Sequence, residues 1–277
     1  MQLIFKNHKA ERECLPLKSA RFRRMPDKRR NFMIYRYTKT GDAHAFRGTE
    51  NQDALSGSDG ENFAVLALAD GISACPQAAS GARTAANAAA DLLEKRGWCF
   101  LDYMPENIAG IILSYSMQKL NETASVLAAP VREFASTLAC IYLDKAQKKV
   151  VYFNLGDSMI ITAHGSGCRV LAPPYRGEGS CCSTTTKNVL RTVKSGVADI
   201  AGTESVIIFS DGAWKEIYNR NTLRPEIFKL LTGNDFNRLE SYLADREPAD
   251  DCSFIAYIPD VPAYRREARN PAADSAA

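Results

Sequence analysis

Carboxylates recur at the ends of apolar runs in this chain of 277 residues. Phe63 to Asp70 reads FAVLALAD, apolar until its last residue, and Gly71 follows. Ser205 to Ser210 reads SVIIFS and stops at Asp211-Gly212, while Val150 to Leu155 reads VVYFNL and stops at Gly156-Asp157-Ser158. Two further arrangements are reversed: Asp250-Asp251 precedes the run Cys252 to Ile258, and Asn51-Gln52-Asp53 precedes Ala54-Leu55. A single Asp-Gly pair reads equally well as a plain turn. Several of them at strand ends point further, because gathered carboxylates repel one another unless cations lie between them. Clustered carboxylates without His or Cys suit hard ions, so Mg²⁺ or Mn²⁺ is favoured over Zn²⁺.

The elements that must position these groups follow from hydrophobic patterning. Phe63 to Asp70 lacks polar alternation and reads as a strand buried on both faces. Pro76 to Arg96 reads as a helix with small residues on one face, Ala78, Ala82, Ala85 and Ala89, ended by Gly97. Pro105 to Leu127 reads as a second helix whose stripe of Ile108, Ile111, Ile112, Tyr115 and Leu120 is core. Ser136 to Asp144 and Lys149 to Gly156 form a hairpin, and Ser158 to His164 continues it. Ala213 to Tyr218, Pro225 to Leu231 and Phe236 to Ala244 read as shorter helices. Gly41 to Asp53 reads as a polar loop carrying His44 and Arg47. Leu171 to Ser195 is irregular and long enough to act as a flap beside a site. Eight or nine strands, mostly antiparallel, with two long helices inserted together, predict an α+β fold: an antiparallel β-sandwich flanked by paired helices.

Composition limits the alternatives. A net charge of +3 is too small to make nucleic acid a partner of the whole chain. Eight cysteines without a CxxC pair fit a reducing, cytoplasmic setting. No apolar run reaches the length of a membrane span, and the N-terminus lacks the apolar core of a signal peptide. Residues 1–31 are basic, with Arg21, Arg23, Arg24, Lys28, Arg29 and Arg30 close together, and read as a disordered leader. Residues 261–277 read as a disordered tail, which leaves 32–260 as the folded domain.

The order of the acidic turns resembles the type 2C metal-dependent protein serine/threonine phosphatases, the PPM family. The matching stretches are Asn51-Gln52-Asp53-Ala54, Asp70-Gly71 with the small-residue helix, Ser136-Thr137, Gly156-Asp157-Ser158, Ser210-Asp211-Gly212 and Asp250-Asp251-Cys252-Ser253. The GTENQDA and ADGIS forms look like a bacterial branch. The resemblance implies α-β-β-α layers with two Mn²⁺ or Mg²⁺ ions in a cleft at one end. It implies that Asp70 bridges both ions, that the Gly71 carbonyl binds one, that Asp211 and Asp250 hold the other, and that Asp53 binds a water of the centre. Asp70 and Asp211 are thereby catalytic, and the substrate is a phosphorylated protein paired with a kinase.

Some positions depart from that pattern. Gln52 stands where an acid is often found, Ile72 where a His follows Asp-Gly, and Lys215 where an acid lies four residues after the Ser-Asp-Gly aspartate. A third ion at Asp157 is therefore in doubt. His44 and Arg47 are the candidates for the general acid and the phosphate-binding residue. The reading is a serine/threonine phosphatase acting through metal-activated water. Its rivals are a catalytically weak regulatory pseudophosphatase and a nucleic-acid-binding protein using the basic leader.

Overall fold

The computed structural model describes residues 33–175, 182–219 and 222–258. The expected leader and tail, and part of the expected flap, lie outside the described residues. Two five-stranded antiparallel sheets make the centre. The first runs β2 (Asp53–Asp59), β3 (Phe63–Asp70), β4 (Leu138–Asp144), β5 (Lys149–Leu155), β8 (Lys194–Asp199). The second runs β1 (Met33–Lys39), β12 (Cys252–Ile258), β9 (Ser205–Phe209), β6 (Met159–His164), β7 (Gly167–Ala172).

Side-chain alternation explains the layering. Along β3, Ala64, Leu66 and Leu68 join Ile141, Ile208, Ile255 and Tyr257 between the sheets. Val65, Ala67 and Ala69 of the same strand face the opposite way, onto α2 (Ala78–Arg96) and α3 (Pro105–Val126). Both faces are dry, which is why the strand carries no polar residue before its last. The alanine face of α2, with Ala82, Ala85 and Ala89 fully buried, lets the helix lie close against the sheet. The stripe on α3 is buried at Ile108, Ile112 and Leu120, whereas Ile111 is exposed. The second sheet is covered by α4 (Asp211–Ile217), α5 (Pro225–Thr232) and α6 (Phe236–Ala244), through Ile217, Ile227, Leu231, Leu239 and Leu243. The result is helices, sheet, sheet, helices. No helix among the described residues is long and apolar enough to cross a membrane.

Two expectations need correction. The segment Gly41 to Asp53 is not all loop: α1 (Asp42–Arg47) forms there and ends on Gly48 in the left-handed region, φ 65°. Only His44 of α1 is buried, so the helix carries no apolar periodicity to read. The described strands number twelve, with β2 longer than expected, β7 and β8 inside or beside the stretch read as irregular, and a short hairpin of β10 (Tyr218–Asn219) and β11 (Thr222–Leu223). β2, β7 and β8 are all edge strands, which need fewer apolar residues than central ones. Gly97 ends α2 as expected, at φ −57°, and the chain continues as a 3-10 turn, Gly97–Asp102.

Candidate functional site

Both sheets deliver carboxylates to one end of the sandwich. Asp53 opens β2 and Asp70 closes β3, and the two are direct cross-strand partners. Asp157 sits in the turn from β5 to β6. Gly156 before it has φ +102°, and a Cβ there would lie 2.6 Å from Thr137 Cγ2, so the turn accepts only glycine. Asp211 begins α4 one residue after β9, and Asp250 lies two residues before the β9 partner β12. Asp70, Asp157 and Asp211 each bring a carboxylate oxygen within 4.8 Å of the others. Behind Asp70, a Cβ on Gly71 would lie 2.6 Å from the Ala78 carbonyl oxygen, so the start of α2 closes directly onto this turn.

These acids are poorly served as a protein-only cluster. Both oxygens of Asp53 and Oδ1 of Asp211 are buried without a hydrogen-bond partner. The Ser253 and Ser210 hydroxyls lie near Asp53 and ease its ionisation, but Ser253 Oγ donates to Thr38 Oγ1 and Ser210 Oγ to the Asp251 carbonyl. Burial first, then the charges of Asp53, Asp211, Asp250 and Asp157, push the Asp70 carboxyl well above its ordinary range. Asp53 is pushed well up by burial and by Asp251 and Asp211. Asp157 and Asp250 are raised by burial, then by Asp211. Carboxylates held together at this cost, with buried oxygens unfilled, fit a hard divalent ion.

Asp251 is different. Its Oδ1 accepts the Gly41 N–H at 2.8 Å, and its Oδ2 accepts the Gln52 N–H at 2.6 Å and His44 Nδ1 at 2.9 Å. It ties the start of β12 to both ends of the α1 segment. The backbone N–H groups of Asp42 and Ala43 bond the carbonyls of Pro248 and Ala249, which fixes α1 beside Asp250. With Nδ1 donating to Asp251, His44 turns Nε2 toward Ser73 Oγ, 3.2 Å away. His44, Arg47, Ser73, Lys215 and Asp250 line one cleft of about 420 Å³. Lys215, one turn along α4, donates to Asp211 Oδ2 at 2.5 Å.

The structure thus gathers Asp53, Asp70, Asp211 and Asp250, sets Asp157 among them, and puts His44 and Arg47 on the adjoining wall. Sequence reasoning missed the anchoring role of Asp251, the reach of Ser73 to His44, and the ion pair of Lys215. Only the last had a signal, the i to i+4 spacing from Asp211 on a predicted helix. Gln52 presents a neutral amide oxygen, buried and without a partner, where the resemblance expects an acid.

Comparison with known proteins gives the family and the fold. Residues 40–245 match the family described as protein phosphatase 2C. No curated protein matches the chain. Among solved structures, the chain is similar to the serine/threonine phosphatase Stp1 from Staphylococcus aureus at 16% identity and TM-score 0.61, covering 82% of this chain and 95% of that one. It is similar to a bacterial serine phosphatase at 16% identity and TM-score 0.60, covering 82% and 97%. It also resembles RsbX, solved in complex with magnesium, at 16% identity and TM-score 0.53, covering 84% and 97%. At such identities the structures support the α-β-β-α fold, while the family match spans well over half the chain. The chain belongs to the protein phosphatase 2C family.

Proposed function

We propose that the chain is a Mn²⁺- or Mg²⁺-dependent phosphatase that hydrolyses phosphoserine and phosphothreonine in proteins, in the cytoplasm. The observation that carries this reading is the set of buried, unpartnered carboxylate oxygens on Asp53 and Asp211 around Asp70. Asp70, the Gly71 carbonyl, Asp211, Asp250 and Asp53 would hold two ions. Bound there, the ions supply Lewis acidity, acidifying water and neutralising phosphoryl oxygens.

The rest falls to the chain's own side chains. Asp53 orients water through its free oxygens. Arg47, on the cleft wall, binds the substrate phosphate. A serine or threonine alkoxide is a poor leaving group and needs a proton as its P–O bond breaks. His44 would give one from Nε2; the contact of its Nδ1 with Asp251, which fixes the ring, supports this role. Asp251 is thereby a positioning residue. The partner in this reading is a phosphorylated protein paired with a kinase; the similarity to Stp1, named a serine/threonine phosphatase, supports phosphoserine and phosphothreonine as the groups acted on. Free thiols at all six described cysteines support a reducing compartment.

Two observations favour a second reading, a catalytically weak regulator: Lys215 occupies one oxygen of Asp211, and Gln52 lacks a charge. Phosphate release from a phosphothreonine peptide separates the two. A phosphatase is inactive in EDTA and recovers with Mn²⁺ better than with Zn²⁺. Activity that survives exhaustive chelation contradicts the metal-dependent reading, and no activity under any metal supports the regulator.

A further inference from the structure

Charge around Asp70 does not balance with carboxylates alone. Asp53, Asp157, Asp211 and Asp250 all act on Asp70, so the group contains five acids. Lys215 reaches into this group from α4 and pairs with Asp211. Asp211 divides its two oxygens: Oδ2 takes the ammonium, while Oδ1 stays buried and unfilled. Asp211 is 5% exposed, so this is no ordinary surface pair on a helix. Asp157 and Asp250 act on Lys215 as well, and Lys215 shares the cleft wall with Asp250.

We infer that Lys215 is a tethered cation that sets the capacity of the centre at two divalent ions. With Asp251 set aside, because its oxygens are taken by Gly41, Gln52 and His44, five ionised carboxylates and one ammonium leave four negative charges, which two dications cancel. A third dication would have to displace the ammonium from Asp211 and would leave the centre with excess positive charge. The side chain does what a freely exchanging ion would otherwise do on the Asp157 and Asp250 side of Asp211. This inference rests on the metal-dependent reading above and specifies how many ions that site takes.

Mn²⁺ binding to the full chain, by equilibrium dialysis and elemental analysis at matched ionic strength, reads the capacity without recourse to activity. Wild type is expected to hold two Mn²⁺ per chain, and Lys215→Glu, which exchanges a positive for a negative charge, three. Lys215 is half exposed, so the exchange leaves the core intact, and circular dichroism checks this. Lys215→Gln is the second variant; it removes the ammonium without adding repulsion and is expected to bind a third ion more weakly than Lys215→Glu. Two ions in wild type and both folded variants overturn the inference and leave the metal site standing. Three ions in wild type overturn it too. No ions in wild type overturn both the inference and the reading beneath it.

Discussion

Asp211 and Asp251 are both buried at the same end of the sandwich, beside paired strands, yet they are built for different work. Asp251 accepts two backbone N–H groups and His44, so its charge is met by the protein itself. Asp211 has one oxygen on Lys215 and one on nothing, and Asp53 has two on nothing. A buried carboxylate with its lone pairs filled is framework; one with them empty is a place for something else. Burial alone would not have told them apart.

The largest expected effect breaks the open side of this comparison. Asp70→Asn keeps the side chain's size and removes a charge from the middle of the cluster. The rate of phosphopeptide hydrolysis should fall ~10²-fold or more, with an unchanged circular dichroism spectrum. A plain turn would tolerate Asn and keep its rate.

The filled side should respond in stability. Asp251→Ala strands two N–H groups and His44, and breaking such a buried pair costs about 3 kcal/mol or more. Chemical denaturation in EDTA should show that loss. The same measurement on Asp70→Ala should show a gain or no change, since the substitution relieves repulsion among carboxylates.

A smaller effect should appear with pH in the metal-free protein. The folded state raises the carboxyls of Asp53, Asp70, Asp157 and Asp250 above their ordinary value, 3.8, mainly through burial. The folded state therefore holds protons that the unfolded chain has already released. That stability is present in full below pH 3.8 and is lost as pH rises through the raised values. Thermal unfolding in EDTA should show a midpoint that falls as pH rises above 3.8, through the raised values. Adding Mn²⁺ should flatten the fall, because the ions take the place of the protons.

Much of this molecule can be read from its residues. β3, β9 and β12 are legible because burial on both faces leaves long apolar runs, and α6 because its apolar periodicity is strong. The acids at their ends follow from the turns that stop them. The edge strands β2, β7 and β8 are not legible, since an open edge lets Ser, Gly, Lys and Arg stand in them. α1 is hidden because backbone bonds to Pro248 and Ala249, rather than apolar burial, hold it. Nothing local says which member of Asp250-Asp251 faces the cluster, for the choice depends on His44, 207 residues away.

The central claim is that Asp70 belongs to a metal centre and Asp251 to its frame. Calorimetric titration of Mn²⁺ into metal-free wild type, Asp70→Asn and Asp251→Asn tests it most directly. The account predicts that Asp70→Asn loses high-affinity binding, while Asp251→Asn, if folded, keeps it within about tenfold, or 1.4 kcal/mol. Equal loss in both variants, or wild-type binding by Asp70→Asn, would contradict it.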